Sequence, residues 1–325
     1  MKVLITGGAG FIGSHLVERL IRNKNKIIVL DNLSTGRLDN IKNFRRSIEF
    51  IKADISKSLK LEKYFRKVDV VYHLAALADI VPSINFPLKY FLSNVQGTIN
   101  VLQASYKNNV KKFVYTASSS CYGIPKSFPT SEKDEIDPKY PYALTKKTAE
   151  DFVLHWGKVY KLNVSSLRLF NVYGTRSRTS GTYGAMFGTF LRQKLSNEPF
   201  TVVGNGTQKR DFIYVSDVID ALIKTANYKK NCSIFNLGSG KPVSINEICH
   251  FLKGKKKYIP KRPGEPDQTF ANINKIKKEL NWRPKVKIEK GIEIMLKNIN
   301  YWSKAPLWTP EKIKVATKDW FKFLK

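Results

Sequence analysis

The sequence predicts a doubly wound α/β fold, a parallel sheet with helices on both faces, on three observations. Short apolar runs alternate with amphipathic stretches through the first half of the chain. The first run ends in a glycine-rich turn that opens a helix-spaced segment. An aspartate, Asp31, closes the second run, about twenty residues beyond that turn.

Val3–Ile5 is the first strand, and Phe11, Ile12, Leu16, Leu20 and Ile21 then recur at helical spacing. Ile27–Leu30 and Ile48–Ile51 are the next strands, and Val68–Leu74 is a buried one. Val95, Ile99, Val101 and Leu102 fall on a helix, and Lys112–Ala117 is a further strand. Such alternation implies right-handed crossovers and a parallel sheet covered on both faces. Leu162–Leu169 and Asn231–Leu237 are expected to rejoin that sheet. Gly181–Gly188 holds three glycines in eight residues and is expected to be a loop. Ser244–Glu247 has capping-box spacing and should open a helix. Arg262–Pro266 is a turn-rich loop. Thr309 and Pro310 read as an N-cap followed by proline at the first helical position. The last stretch carries Trp302, Trp308 and Trp320, which are expected to pack on the body of the protein. The expected division is 1–170, with a return near 205–237, and a smaller α/β unit over 171–325.

The chain has 325 residues, and 42% of them are hydrophobic, enough for a sizeable core. Three cysteines with no CxxC pair suit free thiols in a reducing compartment. No stretch approaches the ~18 apolar residues that a membrane span needs, so a soluble cytoplasmic protein is expected. The net charge of +31 raises the question of nucleic acid. The lysines are scattered, however. The densest run, Lys253–Lys257, lacks interleaved aromatics for base stacking. No nucleic-acid partner is expected, and the surface suits anionic small molecules.

Gly7, Gly10 and Gly13 form a GxxGxxG pattern between the first strand and the first helix. Such a turn lets the backbone approach a pyrophosphate, which rests on the positive helix N-terminus. Asp31 can accept both ribose hydroxyls of NAD and would repel a 2′-phosphate, so NAD is expected over NADP; Arg37 alone softens that preference. The turn and the aspartate together make the sheet Rossmann-type.

Tyr142 and Lys146 stand at i and i+4, on one face of a helix. A free tyrosine, with a pKa of about 10, is a poor base. A neighbouring ammonium and a positive nicotinamide favour the phenolate, which can then take a proton from a sugar hydroxyl. The serine-rich stretch Ser118–Ser120 follows a buried strand, at the carboxyl edge where ligands of parallel sheets bind.

These motifs are joined in order by Asp54, His73–Ala76, Ser118–Gly123, Arg168–Gly174 and Arg210–Val215. The ordered set resembles the extended short-chain dehydrogenase/reductase family, specifically its NAD-dependent nucleotide-sugar epimerases and dehydratases, over residues 1–290 or so. The resemblance implies that Tyr142 is the catalytic base, Lys146 its tuner and Ser118 the hydroxyl that assists proton transfer. It places Gly7, Gly10, Phe11, Ile12, Gly13, Asp31, Asn32 and Ser34 on the cofactor. Asp54 with Ile55 would touch adenine, Leu74, Ala75 and Ala76 would run beside the pyrophosphate, and Asn94 and Phe170 would complete the cofactor side. Asn171 would hold the sugar diphosphate, and Arg210 and Arg262 would grip its phosphates. Glu265 would meet the nucleotide ribose, at a place where aspartate is more usual. Ser119 and Ser120 would contact the sugar, and Arg176 and Arg178 would add charge at the mouth. The resemblance also implies a homodimer paired through helices of the first half, and no metal.

The shared opening step in that family is removal of the C4 hydroxyl proton with hydride transfer to NAD. Return of hydride to the other face gives an epimerase. A 4,6-dehydratase carries an Asp-Glu pair after the catalytic hydroxyl residue, and a glucuronate decarboxylase carries a glutamate two positions after it. Ser119 and Ser120 stand there instead, and a serine cannot replace a carboxylic acid in elimination. A UDP-hexose 4-epimerase is the favoured reading. A dehydratase and a non-catalytic dinucleotide-binding module are the alternatives. Thr269, where hexose-restricted relatives tend to carry tyrosine, leaves room for an N-acetyl group at C2. Asn171, where glucuronate epimerases tend to carry threonine, argues mildly against a uronic acid.

Overall fold

The computed structural model describes residues 1–57, 61–177 and 186–324. Seven strands form one parallel sheet: β1 (Lys2–Thr6), β2 (Lys26–Asp31), β3 (Glu49–Lys52), β4 (Val70–His73), β5 (Lys112–Ser118), β6 (Val164–Leu169) and β7 (Ser233–Leu237). Their spatial order is β7-β6-β5-β4-β1-β2-β3, and every neighbouring pair is parallel. All seven stretches expected to be strands of this sheet are therefore in it.

The apolar runs are continuous because both faces are covered. Val3 and Ile5 of β1 enter one core and Leu4 enters the other. In β5, Val114 faces the first core, while Phe113 and Tyr115 face the second. Helices α1 (Phe11–Arg22) and α4 (Val215–Ala226) supply Leu16, Val17, Val218 and Leu222 to the first core. Helices α2 (Gly97–Lys107) and α3 (Pro141–Val159) supply Val101, Leu102, Ala149 and Val153 to the second. The chain direction across the sheet reverses at β1, which lies between β2 and β4. A crevice must open there at the carboxyl ends of the strands.

The second half of the chain builds a third core around Tyr173, Phe187, Phe190, Phe200, Ile248 and Trp302. Its strands are short pairs: Asn171–Tyr173 with Phe212–Tyr214, Phe200–Val203 with Lys256–Ile259, and Val243–Ser244 with Lys209–Arg210. The expected capping box forms: Ser244 Oγ accepts from Glu247 N at 3.1 Å, and Glu247 Oε2 accepts from Ser244 N at 2.9 Å. Thr309 caps the helix Pro310–Ala316. Trp302 and Trp320 are buried.

Two expectations need correction. Gly188 is helical, within Met186–Leu195, because Phe187, Phe190 and Leu191 pack into the third core and carry the turn with them. The rest of that expected loop, 181–185, lies outside the described residues. Val95 precedes α2, in a wider π-helical turn over Phe91–Gln96. All three cysteines are free thiols, as expected. Among the described residues, no helix is long and apolar enough to cross a membrane.

Candidate active site

A cleft of about 690 Å³ runs over the carboxyl ends of the sheet, between the first-half strands and the short strands of the second half. At one end stands the glycine turn. Gly7 has φ +72°, and a Cβ there would lie 2.8 Å from the backbone nitrogen of Ala75. A Cβ on Gly13 would fall 2.2 Å from the Gly7 carbonyl oxygen. The turn thus presses against the Leu74–Ala76 segment as closely as bare backbone permits. Gly10 is the N-cap of α1, whose first turn carries no acidic residue. Its positive end is left to an anion.

Asp31 lies at the same end, 7% exposed. Its carboxylate accepts from Ala9 N at 2.9 Å and Leu33 N at 2.8 Å, while burial pushes its pKa up. Phe11, Ile12, Asn32, Ser34, Asp54, Ile55, Leu74, Ala75, Ala76 and Phe170 also line the cleft. Asp54 is held below the usual carboxylate range by Ser56 and Asn32, against the opposing effect of burial. The open helix end, the acidic ribose acceptor and the glycines whose Cβ positions are already filled fit a dinucleotide. Arg37 is at this end as well, its guanidinium 5.7 Å over the Tyr301 ring.

Asn94 does not fit the expected role. It is 1% exposed and does not line the cleft. Its side chain accepts from Leu77 N at 2.8 Å and donates to Leu77 O at 3.0 Å and to Thr145 Oγ1 at 3.1 Å. It clips the loop after β4 to α3, and the π-helical turn brings its neighbour Ser93 to the cleft instead. His73 makes a parallel tie, with Nδ1 2.7 Å from Thr6 Oγ1 and Nε2 2.9 Å from Thr98 Oγ1. Burial pushes its pKa down to about 3, so the ring is neutral.

Tyr142 enters the cleft from the first turn of α3, beside Ser118 at the end of β5. Burial raises the Tyr142 pKa, and the neighbouring Ser118 hydroxyl acts in the opposite direction without cancelling it. Ser118 also donates to Ser120 Oγ at 3.1 Å, and Ser119 and Ser120 line the cleft. Lys146 is buried one turn on. Its Nζ donates to the Thr116 carbonyl at 2.6 Å and lies 4.3 Å over the Tyr115 ring. Burial pushes it down to about 7, with Glu150 acting in the other direction. Desolvation outweighs the favourable contacts that the chain itself makes to the Tyr142 phenol; the expected lowering drew on the nicotinamide charge as well as on Lys146.

The far end of the cleft gathers distant residues. Arg210 Nη2 donates to Glu265 Oε1 at 2.8 Å, and Arg262 Nη1 lies 3.7 Å from Glu265 Oε2. Two guanidiniums therefore converge on one carboxylate, and all three residues line the cleft. Such planar donors suit the oxygens of a diphosphate. Thr269 Oγ1 donates to Asn171 Oδ1 at 2.9 Å and accepts from Asp211 N at 3.0 Å, beside the same mouth. Arg176 lines the cleft and is paired with Glu18 at 2.5 Å. Arg178 lies outside the described residues.

Two groups escaped the sequence reading. Glu150 on α3 and Arg168 on β6 form a buried ion pair, with Nη2 to Oε2 at 2.7 Å. Ser166 Oγ donates to the same carboxylate at 2.6 Å, and Arg168 Nη1 donates to Tyr122 OH at 2.8 Å. This pair fixes the helix bearing Tyr142 to the sheet. Glu150 lies four residues beyond Lys146, so helical spacing could have found it. The second group is Tyr140, Tyr301, Pro306, Trp308 and Trp320 on the cleft wall. The tail tryptophans were expected to pack on the body of the protein, but no short-range pattern brings them to the cleft.

The geometry has counterparts among known proteins. Residues 3–238 match the family described as "NAD dependent epimerase/dehydratase family". A putative UDP-glucose 4-epimerase of Methanocaldococcus jannaschii is 37% identical over 299 residues, which cover 90% of this chain and 96% of that one. The UDP-N-acetylglucosamine 4-epimerase of Methanobrevibacter ruminantium, solved with UDP-N-acetylmuramic acid, superposes with a TM-score of 0.86 at 33% identity, covering 91% and 98% of the two chains. A UDP-glucuronic acid 4-epimerase from Bacillus cereus, solved with its UDP-sugar and NAD, gives 0.85 at 33% identity, covering 92% and 99%. By its match and by its cleft, the chain belongs to the NAD-dependent epimerase/dehydratase family of enzymes, with NAD as its cofactor.

Proposed function

We propose that this enzyme is a UDP-hexose 4-epimerase acting on UDP-N-acetylglucosamine and its galacto epimer, or on the corresponding UDP-glucose pair, through a transient 4-keto sugar. The observation that carries the reading is that Ser118 and Tyr142 line the same cleft, with Ser119 and Ser120 beside them rather than carboxylates. NAD, when bound, supplies the hydride acceptor and donor. Gly7, Gly13, Asp31 and Asp54 would hold it. Tyr142 takes the proton of the C4 hydroxyl and returns it, with Ser118 relaying between phenol and sugar. Lys146 sits at the base of the same helical face, where its charge favours the phenolate once the site is filled. Arg210 and Arg262 receive the diphosphate, Glu265 the ribose, and Asn171 with Thr269 the sugar side. Residues 1–170 would then carry most of the cofactor contacts and 171–325 most of those to the nucleotide sugar.

A second copy of the chain is part of the proposal. Leu88, Phe91 and Leu92, with Leu144 on α3, are exposed apolar side chains of the kind a partner covers. Light scattering on the purified protein should give twice the chain mass.

The test of the function is a proton-NMR time course with NAD and either UDP-N-acetylglucosamine or UDP-glucose. New anomeric signals of the galacto products are expected, sooner in the N-acetyl tube. Unchanged spectra in both, with NAD bound, would overturn the substrate assignment. A 4-keto-6-deoxy product would replace it with the dehydratase.

A further inference from the structure

The tail of the chain lies beyond the matched family region, which ends at residue 238, yet Trp320 reaches the cleft. It is carried by a helix of six residues, Lys318–Phe323, and is 4% exposed. Its indole Nε1 donates to the Pro263 carbonyl at 2.7 Å. The Arg262 guanidinium lies 5.4 Å over its ring. The Tyr140 ring lies 6.4 Å away, and Tyr140 is in turn stacked on Tyr142 with 8° between the planes. One side chain thus touches both the turn that bears Arg262 and Glu265 and the residue that caps the helix of Tyr142.

The turn needs such a support. Residues 262–266 belong to no helix or strand, and Gly264 within them has φ +68°. An arginine on a turn of this kind samples many rotamers. Contact with an indole face restricts the guanidinium, whose edge still pairs with Glu265. The hydrogen bond to Pro263 fixes the backbone at the adjacent position.

We propose that Trp320 is a positioning residue for nucleoside-diphosphate binding: it holds the 262–265 turn against the start of the Tyr142 helix, so that Arg262 is already aimed into the cleft. This rests on the proposed function only in the class of ligand. Trp320 does not touch the reacting atoms. Its loss therefore weakens ground-state binding and leaves the chemical step intact.

The experiment is calorimetric titration of the full-length, NAD-loaded protein and its Trp320→Ala and Trp320→Phe variants with UDP and, separately, with inorganic pyrophosphate. Trp320→Ala should weaken binding about tenfold, the equivalent of about 1.4 kcal/mol. Trp320→Phe keeps an aromatic face and loses only the N–H, so it should recover most of that. In turnover, KM should rise by about the same factor with kcat within about twofold of the parent, the pattern of lost uniform binding. NAD affinity should not change. Trp320→Ala binding within twofold of the parent, or an equal fall in kcat and kcat/KM, overturns the proposal. Should Trp320→Ala fail to fold, a Trp320→Leu protein, which keeps the bulk and loses the aromatic face, overturns it equally if it melts normally with a wild-type KM. A parent that binds pyrophosphate but not UDP overturns the UDP reading alone, and Trp320 is then judged on pyrophosphate. A parent that binds neither overturns both.

Discussion

The two ends of the cleft are built differently. At the cofactor end the groups are held mainly by close backbone approach and by hydrogen bonds to backbone amides. Gly7 and Gly13 leave no space for a Cβ, Asp31 is fixed by two amides, and His73 is tied between two threonines. At the substrate end Asn171, Arg210, the Glu265–Thr269 stretch and Trp320 come from four separate parts of the chain, and side chains make most of the contacts between them. Rigid backbone suits an invariant group such as a dinucleotide. Convergent side chains, each on its own turn, leave the substrate end open to change without disturbing the sheet.

Tyr142 stands at the seam, and its loss should have the largest effect. Tyr142→Phe removes the proposed proton acceptor while keeping the ring in contact with Tyr140 and Tyr90. A fall in kcat on the order of 1,000-fold is expected, with NAD and UDP binding retained in fluorescence titrations. Retained turnover would move the base elsewhere.

The cofactor end should be brittle. Gly13→Ala forces a methyl onto the Gly7 carbonyl, and the turn must shift to admit it. Weakening of NAD binding by about 100-fold is expected, corresponding to about 3 kcal/mol of overpacking. A change under threefold would show the turn to be as adaptable as the substrate end.

The substrate end should respond in KM. Arg210→Met removes one of the two guanidiniums on Glu265 and should raise KM about 30-fold with NAD affinity unchanged. A parallel loss of NAD affinity would mean that the two ends are coupled more tightly than their contacts suggest.

The remaining effect is on stability in acid rather than on binding or turnover, and it sharpens the comparison in a different way. Burial lowers His73 from its ordinary 6.5 to about 3 and His15 to about 4. Both are neutral in the folded protein while the unfolded chain gains their protons. Stability is therefore complete above about pH 6.5 and is lost as pH falls below it, by up to about 1.4 kcal/mol per pH unit for each ring. Melting of the cofactor-free protein between pH 4.5 and 7 should show this slope, and His73→Asn should reduce it. An unchanged slope would place the acid sensitivity outside the tie between β1, β4 and α2.

The seven sheet strands could be read in the sequence because β-strands buried on both faces must be uninterrupted apolar runs. The same holds for the glycine turn and the Tyr142–Lys146 pair, whose roles depend on spacings within one turn or one helix. The burial of Asn94 against Leu77 and Thr145 comes with the π-helical turn over Phe91–Gln96, which no periodicity reveals. Gly188 was misread because composition favours a loop while packing of Phe187 and Phe190 favours a helix.

The sequence by itself determined the sheet, the cofactor turn and the family chemistry, since each is written in residues near one another along the chain. Only the tertiary structure decided that Glu265 sits between two arginines, that Glu150 and Arg168 anchor the Tyr142 helix, and that a tryptophan five residues from the C-terminus braces the substrate turn. Apart from the Arg262–Glu265 pair, those contacts join residues 18 to 57 positions apart. Which of many compatible partners meet is settled by the packing of the whole core.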